Sequence, residues 1–274
     1  TGLKGGHSGM EIDKGRGNAI KILTRVLIAL EEFGVRLSAI NGGNKRNAIP
    51  REAAALVYLP AAKLEAATAA VAGWHDVARN ELGSVEPDLA VSAAPVKGRK
   101  GKVFPRAAQR KITRALASLP HGVVKMSADI PGLVETSTNL ASIVTKGKTV
   151  TVGTSQRSSV GSEILEIAQT VRYILEAGGA EVTQGDGYPG WKPNVDSPIL
   201  KIAIATYKEQ HGREPQVKAI HAGLECGIIG EKYPGMDTIS FGPTIRNAHS
   251  PDECVSIPSV KNFWTYLTAF LPRL

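Results

Sequence analysis

The sequence predicts a mixed α+β domain over residues 1–190 and, after it, part of an α/β domain over residues 191–274. Helical spacings of apolar residues alternate with short aliphatic runs along the whole chain. Residues 185–193 are dense in glycine and proline, as a connection between domains is. Too few strands are predicted beyond this connection to complete a sheet, so we expect the second region to be the end of a larger domain.

The first elements are predicted in the order helix, strand, strand, helix, strand. Apolar residues three and four apart predict an amphipathic helix that ends at Gly34. Turn-forming residues separate the two strands, and Pro60 begins an alanine-rich helix. The predicted ranges are 15–33 for the first helix, 35–40 and 54–59 for the strands, 60–82 for the second helix and 87–93 for the last strand.

The same order of elements is predicted a second time, over residues 105–119, 123–128, 148–154, 163–177 and 180–183. This recurrence favours an internal duplication of a small α+β unit. A coincidence of element order is the open alternative, because no residue identity links the two halves. In the second region, the predicted helices are 198–210, 224–230 and 258–271, and the predicted strands are 217–221 and 237–241.

The composition is that of a globular protein. Of 274 residues, 42% are hydrophobic and 21% are charged, which disfavours disordered and fibrous classes. No apolar run approaches the roughly 18 residues of a membrane span, so no membrane partner is expected. Cys226 and Cys254 are too few for a disulfide framework, and without a secretory signal we predict a cytoplasmic location. Because Thr1 already lies in a glycine-rich motif, we expect further residues before it.

The formal charge of +8 raises the question of a polyanionic partner, since Lys and Arg release counterions when they bind phosphates. Much of this charge lies in one stretch that includes two glycines, as in an exposed loop leading into a helix. No aromatic ladder or nucleic-acid motif accompanies it, so we predict no nucleic-acid partner. The basic residues are Lys97, Arg99, Lys100, Lys102, Arg106, Arg110, Lys111 and Arg114.

Four motifs lie in order along almost the whole chain. They are GLKGGHSG at residues 2–9, RNAIPRE at 46–52, HAGLECG at 221–227, and GPTI at 242–245 followed by HSPDE at 249–253. Together they resemble the aminoacyl-histidine (Xaa-His) dipeptidases, within the aminoacylase and carboxypeptidase group of zinc hydrolases. The resemblance implies a lid domain over residues 1–190 and the C-terminal part of a two-zinc catalytic domain over residues 191–274.

His249 is the candidate metal ligand. It follows a predicted strand, where open α/β sheets place their ligands, and neutral imidazole binds zinc. Taken alone, a loop histidine is more often a surface residue, but the resemblance identifies His249 as the last zinc ligand of the family. The family's other ligands and its glutamate base precede the lid and have no counterpart here, and Glu31-Glu32 is better interpreted as a solvated helix face. We therefore expect little or no zinc on this chain and no activity of the chain by itself.

His7 is the candidate catalytic residue. Without the resemblance, a turn histidine bonded to the backbone would be the preferred interpretation. The resemblance implies that this histidine reaches from the lid into the active site and stabilises the oxyanion of the tetrahedral intermediate. Whether it serves the active site of its own chain or of a neighbouring one is open.

Three further residues are candidates for binding a dipeptide substrate. Arg157 can hold a free carboxylate in a bidentate fork and Asn47 can add a directional hydrogen bond. The alternatives are a surface ion pair for Arg157 and a turn residue before Pro50 for Asn47. Gly223 lets the main chain approach a ligand because it has no Cβ. The resemblance implies substrate contact for all three.

The resemblance leaves a second hypothesis, in which the chain is an association module without catalysis. Lids of the wider group commonly pair, so a homodimer through the lid is possible. A duplicated lid could instead imitate that pairing within one chain.

Overall fold

The computed structural model describes residues 1–96, 101–185, 187, 189–192, 194–218, 225–246 and 253–274. The chain divides into two compact units, Thr1–Asp186 and Gly187–Leu274. No helix among the described residues is long and apolar enough to cross a membrane.

The first unit combines helices with antiparallel strands. In chain order its elements are β1 (Gly6–His7), α1 (Ala19–Ala29), β2 (Arg36–Gly42), β3 (Ala48–Ile49), β4 (Ala53–Tyr58), α2 (Leu64–Leu82), α3 (Arg106–Ser118), β5 (Gly122–Met126), β6 (Val134–Lys146), β7 (Thr149–Ser158) and α4 (Gly161–Ala177). A 3₁₀ turn at Leu30–Phe33 continues α1, and another at Ala61–Lys63 precedes α2.

Strand β6 organises the main sheet, whose order is β4-β2-β6-β5 with β7 also paired to β6. On one side, the beginning of β6 pairs with β5 and Ile143 near its end pairs with Gly42 of β2. On the other side, β7 pairs along nearly the whole of β6. The short strands β1 and β3 form a separate two-stranded ribbon, in which His7 lies opposite Ala48.

Helix α1 packs into the core beside this sheet. Asn18 caps the helix, because its Oδ1 accepts hydrogen bonds from the N–H groups of Ile20 and Lys21. Gly34 ends the helical segment at φ 76°, a left-handed conformation that favours glycine. The largest cluster of buried residues joins α1, α3 and α4 to β2 and β6, and consists of Ile20, Leu27, Leu37, Ile40, Leu116, Leu119, Leu140, Ile143 and Val171.

The mixed α+β fold is confirmed, with three differences in its elements. In each half of the first unit, three strands lie between two helices, and the predicted strands at 87–93 and 180–183 are wrong, since neither range is strand in the structure. Thr1 and Ala90 exchange two hydrogen bonds without extending into a ladder. The longest strand, β6, was not foreseen, because its first half is a buried polar run that lacks hydrophobic alternation. The duplication stays a prediction.

The second unit is mainly helical among its described residues. Its elements are α5 (Pro198–His211), α6 (Glu225–Lys232), β8 (Ile245–Arg246), β9 (Cys254–Val255) and α7 (Ile257–Phe270), followed by a 3₁₀ turn at Leu271–Arg273. Helices α5 and α7 pack together, and Tyr266 Oη donates to the carbonyl of Ala203 at 2.8 Å. The predicted strand at 237–241 is wrong, and the one at 217–221 falls largely on residues that are not described.

His121 makes the stability of the first unit sensitive to acid. Its Nδ1 lies 3.3 Å from Nδ2 of Asn18, an amide donor that also bonds the carbonyl of Leu140, so a neutral imidazole suits this place. Burial, and then the charge of Lys21, lower the pKa of His121 to about 4 from its usual 6.5. Proton uptake below pH 6.5 therefore favours the unfolded chain, and stability falls as the pH drops towards 4.

We expect the free energy of unfolding to fall by about 2 kcal/mol between pH 7 and pH 5 because of this histidine. In the variant His121→Asn, which keeps an acceptor for Asn18, this decrease should disappear. Urea unfolding at the two pH values measures the difference, with His211→Gln as the control at an exposed histidine. An equal decrease in His121→Asn and the unmodified chain would contradict the assignment.

Candidate substrate-binding site

His7 lies in a loop whose conformation is fixed by hydrogen bonds and an ion pair within the loop itself. The N–H of His7 donates to Glu11 Oε2 at 2.8 Å, and the N–H of Glu11 donates back to the carbonyl of His7 at 2.9 Å. Glu11 also forms an ion pair with Arg16 at 2.6 Å, and Arg16 Nη1 donates to the carbonyl of Gly5. These contacts close residues 5–16 into a loop that presents the imidazole.

The hydrogen bonds of His7 define which ring nitrogen carries the proton. Nδ1 accepts from the N–H groups of Gly9 and Met10, both at 3.2 Å. In a neutral imidazole one nitrogen accepts and the other donates, so the proton resides on Nε2. His7 therefore presents Nε2 as a hydrogen-bond donor, which is the property that stabilisation of an oxyanion requires.

Arg157 meets the His7 loop at Gly9. A Cβ atom added to Gly9 would lie 3.1 Å from Cε1 of His7 and 3.2 Å from Cζ and Nη1 of Arg157. The imidazole and the guanidinium, 150 positions apart in the sequence, therefore both lie against this glycine. Burial, and then the charge of Arg46, lower the pKa of Arg157, so this site disfavours the guanidinium charge.

Asn139 completes this group and was not foreseen from the sequence. Ser137 pairs with Arg157 across β6 and β7, and Asn139 is two residues further along β6, so Asn139 and Arg157 share one face of the sheet. Nδ2 of Asn139 donates to the carbonyl of Ala48 at 2.8 Å, which fixes the amide against the β1–β3 ribbon. The sequence feature that could have indicated Asn139 is an unusual run of polar residues at 135–139, which are buried in β6.

Three buried polar atoms of this group have no hydrogen-bond partner among the described residues. They are Oγ of Ser8, Oδ1 of Asn139 and Nε of Arg157. Buried polar atoms of native proteins are almost always bonded, and each exception calls for an explanation. Because donors and an acceptor remain unsatisfied beside a guanidinium, the arrangement suits a ligand that carries a carboxylate and an N–H group.

Of the other candidate residues, only Asn47 lies among the described residues. Asn47 contacts the His7 loop through its main chain, where its carbonyl accepts from the N–H of Ser8 at 2.9 Å, and the residue is exposed. Gly223 and His249 lie outside the described residues. Among the residues described, no three His, Cys, Asp or Glu side chains are grouped so that they could hold a metal ion.

We expect a side chain at residue 9 to weaken ligand binding with little effect on stability. The methyl group of Gly9→Ala must displace His7 or Arg157 by a few tenths of an ångström, whereas Gly9→Val would displace both further. Calorimetric titration of the unmodified and variant chains with Ala-His measures the loss. Gly73→Ala is the control, since a Cβ there meets nothing within 4 Å. Unchanged affinity in Gly9→Val would show that the two side chains are not a joint site.

Comparison with known proteins defines the class of this fold. Residues 1–86, which include the His7 loop and strands β1 to β4, match the peptidase dimerisation domain. The N-terminal part of the first unit is therefore similar to this domain.

The particular relatives are dipeptidases. The chain is 38% identical over 274 residues to the cytosol non-specific dipeptidase of Escherichia coli (strain K12). This alignment covers 100% of the chain and 56% of that protein. Its structure matches that of the aminoacylhistidine dipeptidase from Vibrio alginolyticus with a TM-score of 0.90 and 40% identity, again over 100% of this chain and 56% of the other. The resemblance predicted from the four motifs is confirmed. The chain spans somewhat more than half the length of these relatives.

Proposed function

We propose that this chain forms the lid and the C-terminal part of the catalytic domain of a cytoplasmic two-zinc dipeptidase that hydrolyses Xaa-His dipeptides. The observation that supports the proposal most is the meeting of His7 with Arg157 at Gly9, beside unsatisfied buried polar atoms. The similarity to two dipeptidases over the whole chain supports the reaction class.

Each residue of the site has a role in this proposal. Arg157 binds the free carboxylate of the dipeptide, and Asn139 Oδ1 accepts an N–H group of the same ligand. Nε2 of His7 donates to the carbonyl oxygen as negative charge develops on it. Asn47 and the main chain at Gly223 add further contacts to the substrate.

The proposal assigns zinc to His249 together with ligands that this chain lacks. When bound, the metal pair would supply an activated water. The roles given to His7, Arg157 and Asn139 concern binding, orientation and hydrogen bonding. Ligand binding by Arg157 and Asn139 can be tested without metal, whereas the oxyanion contact of His7 is tested by turnover of a zinc-loaded chimera.

An apolar stripe on α7 supports the proposal that the second unit is part of a larger domain. Ile257, Val260 and Trp264 are spaced at helical intervals and are 82%, 42% and 63% exposed. The opposite side of α7 packs against α5 through Tyr266. Large exposed apolar patches usually mark a surface that another segment covers. We propose that the additional part of the catalytic domain covers this stripe, and that the chain alone is inactive.

The test separates binding from hydrolysis. The 274-residue chain, purified free of other peptidases, is titrated with Ala-His and β-Ala-His and assayed with added zinc. A chimera, in which this chain replaces the matching segment of the E. coli dipeptidase, is assayed in parallel. We expect binding without turnover for the chain and turnover for the chimera. Hydrolysis by the chain alone would refute the dependence on further ligands, and an inactive, folded and zinc-loaded chimera would refute the dipeptidase assignment.

A second candidate function, association through the lid without catalysis, is favoured by two observations. Residues 1–86 match a dimerisation domain, and β4 is an edge strand of the main sheet among the described residues. An edge strand exposes backbone groups that can pair with another chain. Sedimentation of the chain and of Ala54→Lys, which adds charge at an exposed position of β4, tests this function against Ala117→Lys on α3. A strict monomer at high concentration would exclude it.

A further inference from the structure

A buried carboxyl group joins the two ends of the His7 loop. Glu86 follows α2 and is fully buried. Its Oε2 accepts the N–H of Lys4 at 2.8 Å, and its Oε1 accepts the N–H of Gly17 at 3.0 Å. Lys4 immediately precedes the loop at 5–16 and Gly17 immediately follows it. One side chain therefore fixes both points at which the loop leaves the body of the first unit.

The surrounding contacts make this base of the loop rigid. Leu3 packs with Leu89, and the N–H and carbonyl groups of Thr1 bond Ala90. A Cβ added to Gly17 would lie 2.3 Å from Cδ2 of Leu3, so the two ends of the loop approach each other closely. By contrast, the tip of the loop is held by Glu11 and Arg16, which belong to the loop itself. Contacts within the loop fix the conformation of its tip, and Glu86 fixes the position of the loop relative to the rest of the first unit.

We propose that Glu86 is a positioning residue for His7: through the amides of Lys4 and Gly17 it sets the distance and direction of the imidazole relative to Arg157. This inference rests on the proposed dipeptide site. Glu86 bonds the base of the loop and acts on the ligand through His7. Arg157 belongs to β7 and Asn139 to β6, so Glu86 controls the His7 side of the site and leaves the sheet side in place.

The two hydrogen bonds that Glu86 accepts explain why a carboxyl group suits position 86. Two backbone N–H groups point at one side chain, and a carboxylate offers two acceptor oxygens. A glutamine of the same shape offers one acceptor and one donor. In Glu86→Gln, one of the two amides must therefore face an NH₂ group, and an unsatisfied buried donor is costly. We expect the loop to shift at that end.

The experiment uses the complete 274-residue chain and follows nitrogen resonances by NMR during titration with Ala-His. In the unmodified chain, Nε2 of His7 and Nε of Arg157 should both shift. In Glu86→Gln, the shift at His7 should be lost while that at Arg157 persists, and affinity should fall about tenfold, the effect of one lost hydrogen bond to a charged group. Glu81→Gln is the matched control, because Glu81 also lies at the end of α2 but forms an exposed ion pair with Arg25.

Each outcome decides one question. If His7 responds to the dipeptide in Glu86→Gln as it does in Glu81→Gln, Glu86 does not position it. Should Glu86→Gln fail to fold, hydrogen exchange in the unmodified chain decides instead: the amides of Lys4 and Gly17 should be protected as strongly as those of β6, and exchange at the rate of an exposed loop would overturn the inference. If neither His7 nor Arg157 responds in the unmodified chain, the proposed dipeptide site fails, while amide protection still tests the contact of Glu86.

Discussion

In the chimera with the E. coli dipeptidase, His7→Asn is expected to lower kcat by about 10²–10³-fold, the usual effect of removing one oxyanion donor. Asparagine places its amide oxygen near the position of the imidazole Nδ1. It can therefore still accept from Gly9 and Met10, and the loop keeps its shape. What asparagine lacks is a donor at the position of Nε2. The loss of activity would then report on the donor itself.

His7→Gln is the matched variant, because the longer side chain can place an N–H near the position of Nε2. We expect it to retain more activity than His7→Asn, although it supports the loop less well. His211→Gln, at an exposed histidine of α5, should have no effect. If His7→Asn and His7→Gln were equally active, and both close to the unmodified chimera, His7 would not act as a donor to the oxyanion.

Arg157→Met is expected to weaken binding of Ala-His by about 100-fold and, at the same time, to stabilise the chain. Loss of a buried charged partner typically costs a ligand 2–5 kcal/mol, roughly 30-fold or more in affinity. In the absence of ligand, however, Arg157 has a buried Nε without a partner among the described residues, and burial with the charge of Arg46 lowers its pKa. Removal of this buried, unsatisfied donor should raise the free energy of unfolding by ~1 kcal/mol.

Calorimetric titration and urea unfolding measure the two effects on the same samples. Arg172→Met on α4 is the control, since Arg172 forms an exposed ion pair with Glu176, and neither binding nor stability should change appreciably. A loss of stability in Arg157→Met would show that the arginine is a structural residue, and unchanged affinity would remove it from the site. Opposite changes in affinity and stability are typical of residues that a protein keeps for binding.

Helices of the first unit could be predicted because their signals are local. The predicted helix that ends at Gly34 exists, and the left-handed glycine ends it. Strand β6 could not be predicted in the same way. Its buried residues Thr136 and Thr138 are polar, and only their partners explain their burial: Thr136 lies 2.9 Å from the hydroxyl of Ser158, and Gln156 donates to Thr138. Such partners come from β7, which the sequence of β6 does not specify.

For the site, the resemblance identified His7 and Arg157 separately, and each had a plain structural interpretation by itself. Asn139 lies in no recognised motif. Its role follows from the pairing of β6 with β7 and from its hydrogen bond to Ala48, so it becomes visible only when the sheet and the ribbon are placed together.

By itself, the sequence of this protein determined its mixed α+β class, most of its helices and its resemblance to the aminoacyl-histidine dipeptidases, because periodicity, capping residues and short motifs are local properties of a chain. Tertiary structure alone decided that His7 and Arg157 meet at Gly9, that Nδ1 of His7 accepts and Nε2 donates, and that Glu86 fixes both ends of the loop. These depend on contacts between residues far apart in the chain, and the hydrogen bonds and steric limits that select them arise only once the chain has folded.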